Sequence, residues 1–165
     1  MSSNTAAKDT AAEVPAIDAA LAAANVMMRV AARSVLEVED IVSTPQLRVL
    51  MLIAGAGPQT LGAVATELGV HPSNATRTCE KLVQAGLIVR SDHPADRRYV
   101  QLALTADGSA LVEHVLGQRR SAMADVFSAM PEDDRRAVAG AFERFAVAAG
   151  GEPITDGRFA FGLGR

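Results

Sequence analysis

Residues 68–104 constrain this chain more than any other stretch. Gly69 ends one short apolar segment, and His71-Pro72 opens another that runs to about Ala85 and stops at Gly86. The second segment has helical spacing but keeps Ser73, Asn74, Thr76, Arg77 and Lys81 on its outer side. Leu87-Ile88-Val89 and Tyr99 through Leu104 then read as strands, with the turn-forming run Asp92-His93-Pro94-Ala95-Asp96 between them. A tight turn, a helix with a polar outer face and a hairpin tipped by Arg97 and Arg98 together predict a winged helix-turn-helix.

Small residues fall where that unit needs them. Ala65 lies where the first helix must approach the second, and Ala75 can tuck beneath the second helix. Gly69 occupies the turn, where a positive φ is cheap only for glycine. Such a helix can enter a major groove with its N-terminal residues against base edges. Asn74 and Arg77 suit bidentate contacts to adenine or guanine, while Ser73, Thr76 and free amides at the helix start suit phosphate oxygens. Arg97 and Arg98 can reach phosphates or the neighbouring minor groove.

The formal net charge of −3 argues against nucleic acid at first sight. Charges are segregated, however. Between His71 and Arg98 the basic residues Arg77, Lys81, Arg90, Arg97 and Arg98 outnumber Glu80, Asp92 and Asp96. The acids gather elsewhere, at Glu37, Glu39 and Asp40 and at Glu132, Asp133 and Asp134. A small local surplus predicts binding that needs two copies per site and weakens with salt.

Around this lobe the periodicity is helical. Ile17, Leu21, Ala24, Met28, Ala31, Val35 and Val38 form one long apolar stripe, explained equally by burial in the chain's own domain and by dimerisation. Thr44-Pro45 reads as an N-cap and first helical position, Thr60 as the cap of the helix ending at Leu68, and Thr105 as the cap of a long helix. That helix carries two neighbouring stripes, Leu111, Val115, Ala122, Val126 and Val112, Leu116, Met123, Phe127. Pro131 and the acids after it open a last helix, faced by Val138, Phe142, Phe145 and Ala149. Residues 1–15 show no pattern and are expected to form a flexible tail, 16–149 a single domain with its winged lobe at 45–104, and 150–165 a C-terminal tail.

Other functions are disfavoured. No nucleophile–base pair, phosphate-cradling glycine loop or paired acids are evident, so an enzyme is not expected. His71, His93 and His114 lack metal-ligand spacing, and neither metal nor cofactor is expected. Cys79 reads as a small buried residue, with oxidation sensing as the other reading, and a lone cysteine suits a reducing cytoplasm. No stretch approaches the roughly 20 uninterrupted apolar residues of a bilayer span, and the N-terminus does not resemble a signal peptide. A winged-helix protein-interaction module that never reads DNA is the competing class, but it has no need of both a polar helix and wing arginines.

The sequence resembles the MarR family of bacterial transcription regulators. The resemblance rests on Pro72-Ser73-Asn74-Ala75-Thr76-Arg77, on Leu82 through Arg90, on the wing Asp96-Arg97-Arg98 and on the run Val100 to Gly108. It implies a mainly α fold with a small β-wing, in which helices at 16–40 and 106–149 intertwine in a homodimer. It implies that Arg98 enters a minor groove and that Asp96 orients it. It further implies a repressor on a double-stranded, pseudo-palindromic operator, released by a small-molecule effector. Arg29, Arg33 and Arg48 lie near where an effector pocket would open, but no ligand residue can be assigned.

Overall fold

The computed structural model describes residues 3–93 and 96–150, with side chains described at 14–91 and 100–150. Alanine-rich sequence sets the first element, α1 (Ser3–Leu36). A flexible tail was expected through residue 15, but the helix starts at Ser3 and passes through Pro15. Alanine is the best helix former, and its recurrence carries the helix across the proline. At the other end α1 stops at Leu36, with residues 37–41 in turns rather than helical to 40. Within α1, Val14–Leu36 is long and apolar enough on average to pass for a bilayer span, a likeness of length and composition that the search for an uninterrupted apolar run did not bring out. Much of that apolarity is alanine, and Asp18, Arg29 and Arg33 interrupt it.

The remaining elements are α2 (Thr44–Ala56), β1 (Gln59–Thr60), α3 (Leu61–Leu68), α4 (Pro72–Gln84), β2 (Ile88–His93), β3 (Asp96–Leu104), α5 (Ala106–Ser128) and α6 (Glu132–Ala148). The cap of α2 is Ser43 rather than Thr44, because its extended backbone lets its N–H and Oγ both reach Gln46 Oε1 at 2.8 Å. Thr60 caps α3 as expected, accepting from the Ala63 N–H at 3.2 Å. Gly69 closes α3 in the left-handed region at φ +63, and the Val70 N–H returns to the Ala65 carbonyl at 3.0 Å.

The sheet is antiparallel in the order β1-β3-β2. Its first strand, Gln59 and Thr60 against Leu102 and Gln101, was not expected; two polar residues carry no alternation to read. The hairpin pairs Ile88 with Leu104 and Arg90 with Leu102, with a register irregularity at Asp92/His93. Residues 94 and 95, in the expected turn, lie outside the described residues.

A compact joint ties the hairpin base to α5. Thr105 Oγ1 accepts from the Gly108 N–H at 3.0 Å and donates to the Gly86 carbonyl at 2.6 Å. The Thr105 N–H also donates to the Leu87 carbonyl at 3.1 Å. A Cβ on Gly108 would collide with that same Leu87 carbonyl, so α5 crosses the hairpin only because residue 108 has no side chain.

The core lies under α2, α3, α4, the sheet and the first half of α5. Val49, Leu50, Val64, Leu82 and Val115 are fully buried there. The C-terminal part of α1 joins it through Val35, the turn after it through Val38, and Ser34 through a polar contact. Arg119 of α5, only 5% exposed, donates from Nε to Ser34 Oγ at 2.8 Å, and Ser34 donates to the Ala31 carbonyl at 2.7 Å. Burial lowers the Arg119 pKa from its ordinary value. The first half of α1 and all of α6 contribute no buried residue among those described.

Candidate nucleic-acid interface

Helix α4 is amphipathic in the sense a groove-reading helix requires. Ala75, Cys79 and Leu82 face the core, whereas Ser73, Asn74, Arg77 and Lys81 are exposed and Thr76 is half-buried. Ala65 and Ala75 are both buried, as their size predicted for the approach of α3 to α4. Among the described residues neither Arg77 nor Lys81 is held in an ion pair. Their neighbour Glu80 instead faces Arg90 of β2 at 3.9 Å, a loose contact between half-exposed groups.

The N-terminus of α4 differs from expectation. Free amides were expected there, but Pro72 has no N–H and the next three are taken by His71. Its Nδ1 accepts from the Ser73 N–H at 3.3 Å, and its carbonyl accepts from Asn74 at 2.9 Å and Ala75 at 3.2 Å. Ser73 Oγ lies 2.9 Å from His71 Nδ1, and Thr76 Oγ1 donates to the Pro72 carbonyl at 2.9 Å. The sequence marked His71 only as a helix opener, since histidine is not among the favoured N-caps. Arg90 was counted only as local charge; its place on the strand next to α4 required the hairpin register.

Cys79 is wholly buried in the core behind α4. Burial raises its thiol pKa, with Arg90 opposing and Glu80 adding slightly, so the nucleophilic thiolate is disfavoured. The small-buried-residue reading accounts for it. Asp96, Arg97 and Arg98 start β3 on the backbone, but their side chains lie outside the described residues.

The family model described as "MarR family" matches residues 42–100. The HTH-type transcriptional repressor MdtR of Bacillus subtilis (strain 168) is 33% identical over 93 residues, 56% of this chain and 60% of that protein. The HTH-type transcriptional regulator MT0903.1 of Mycobacterium tuberculosis is 31% identical over 94 residues, 57% of this chain and 66% of that protein. The crystal structure of RV1404 from Mycobacterium tuberculosis superposes with a TM-score of 0.70 at 35% identity, covering 85% of this chain and 96% of that one. The chain belongs to the MarR family. Its matches to these two curated relatives span less than two thirds of their length, whereas the RV1404 match is nearly complete. The fold is likewise that of the transcriptional regulator Tm0710 from Thermotoga maritima, at a TM-score of 0.70 and 24% identity. MarR proteins are transcription regulators and not enzymes.

Proposed function

We propose that this MarR-family protein is a homodimeric DNA-binding repressor whose hold on a pseudo-palindromic operator is released by a small-molecule effector. The observation that carries the reading is α4 itself: Ser73, Asn74, Arg77 and Lys81 stand exposed on a helix whose other face is locked into the core. With Thr76 they form the face offered to the major groove. In this reading Arg98 would enter the adjacent minor groove, with Arg97 beside it and Asp96 as its orienting partner, the roles that the family resemblance implies. The lobe at 45–104 reads DNA, while 16–40 and 106–149 join the two copies. Repression is supported by the likeness to the transcriptional repressor MdtR, and action on DNA by a regulator of this kind supports a cytoplasmic site. Operator half-sites sit one helical turn apart, about 10 bp between centres.

Selection of genomic fragments by the purified protein, followed by footprinting, tests this reading. A shared pseudo-palindrome is expected. Arg98→Ala should weaken binding to every sequence and reduce the salt slope by about one. Normal operator binding by that variant would remove the wing assignment. Salt-independent capture of a protein partner with no retained DNA would instead establish an interaction module.

A further inference from the structure

The first turn of α4 has spent its backbone N–H groups and the hydroxyl protons of Ser73 and Thr76. Its backbone amides end on His71, as described above. Because Nδ1 of His71 accepts the Ser73 N–H, it carries no proton. In that tautomer, with the ring proton on Nε2, the 2.9 Å contact to Ser73 Oγ has the hydroxyl as donor. Thr76 Oγ1 likewise donates to the Pro72 carbonyl. A hydroxyl has one proton and two lone pairs. Both protons point back into the helix start, and the lone pairs are what remains for a ligand.

We propose that Ser73 and Thr76 read the operator as acceptors, favouring adenine or cytosine over thymine or guanine on the strand they face, because only those two bases offer an exocyclic amino group, N6 or N4, in the major groove. This rests on the reading of α4 as the groove-entering helix. It departs from the phosphate role expected for these hydroxyls, because phosphate oxygens only accept, as do O4 of thymine and O6 and N7 of guanine. Meeting any of those would cost each hydroxyl its internal hydrogen bond. Residues 73, 76 and 77 share one helix face, so Arg77 supplies donors beside them. The face has mixed polarity, with acceptors nearest the helix start and cations one turn further on. His71 is a positioning residue: it fixes the direction of the Ser73 hydroxyl without itself meeting a base.

The test starts from duplexes that wild-type protein selects from random sequence. In the selected half-site each adenine is replaced in turn by purine, and each cytosine by 2-pyrimidinone, so that one amino group is lost at a time. Wild type should lose about fivefold in affinity at one or two positions. Ser73→Ala or Thr76→Val should be indifferent to that same deletion while staying sensitive to changes elsewhere. Random selection with His71→Ala should shift the base at the Ser73 position toward thymine or guanine, since the freed hydroxyl can donate. His71→Asn keeps an acceptor at the cap and should retain the amino preference. A purely structural cap would instead lower affinity for all sequences alike. Specific binding with no amino-sensitive position coupled to Ser73 or Thr76 overturns this proposal and leaves the DNA-binding reading standing. Failure to select any duplex removes both.

Discussion

Gly108 shows how a single missing side chain holds two elements together. A Cβ built on it would run into the Leu87 backbone carbonyl, so a side chain there forces one of the two elements to shift. Thr105 pins α5 to Gly86 and Leu87 from the other side. Gly108→Ala should therefore destabilise the fold by about 1–3 kcal/mol, as overpacking against backbone does. Gly117→Ala, in the same helix with open space around it, should stabilise by up to about 1 kcal/mol. Urea unfolding of the two variants measures the contrast, and equal effects would show that the joint yields. The sequence displayed the run Leu104 to Gly108 as a motif, yet its reason was invisible there. The oxygen that forbids a side chain belongs to Leu87, on another element. His71 was hidden differently, because its capping role depends on a ring nitrogen whose direction no spacing rule describes.

Elements were legible wherever apolar period and capping chemistry agreed. Helices α3, α4 and α5 start where Thr60, His71-Pro72 and Thr105 said they would. The reading faltered where one signal served two outcomes. The stripe that starts in α1 splits: Val35, and Val38 in the turn beyond the helix, pack on the chain's own domain, while Ile17, Leu21 and Met28 remain exposed. Periodicity records that a face is apolar, not which surface covers it. In α5 the stripe through Leu111, Val115, Ala122 and Val126 passes over Arg119, and an interrupted stripe was the one available hint of a buried cation. The Arg119–Ser34 contact is a polar link between α5 and α1. Ser34→Ala removes the acceptor of a charged, buried donor and should cost about 1–3 kcal/mol. Arg119→Met, which removes the donor while keeping the length of the side chain, should cost less than Ser34→Ala. Chemical denaturation of both, with the double variant closing the cycle, checks the order. A larger loss from Arg119→Met would mean that the remaining guanidinium contacts outweigh the one to Ser34.

At the scale of the whole molecule the distribution of apolar surface is the outstanding feature. Val14, Ile17, Leu21 and Met28 on α1 and Phe145 and Val147 on α6 stand open, with Met28 68% and Phe145 63% exposed. The core between them draws on α2, α3, α4, the sheet and the first half of α5, and takes no buried residue from the first half of α1 or from α6 among those described. Apolar side chains so concentrated on the terminal elements are what the proposed dimer would cover, each worth roughly 1.5–3 kcal/mol when fully buried. The same surface explains why α1 has the composition of a bilayer span without needing a bilayer: a partner helix is an alternative apolar environment. Ile17→Asp combined with Phe145→Glu should leave the winged lobe folded, since neither residue touches its core, and shift the protein to monomer in sedimentation equilibrium. A monomer contacts one half-site, so its operator affinity should fall steeply and its salt slope by about half, in proportion to the phosphates neutralised. Near-unchanged dimer content in that variant would mean that the copies meet through another surface. Monomers that still bind the full operator with the wild-type slope would mean that one lobe supplies the whole footprint, and the two-fold arrangement proposed for the operator would then have no physical basis.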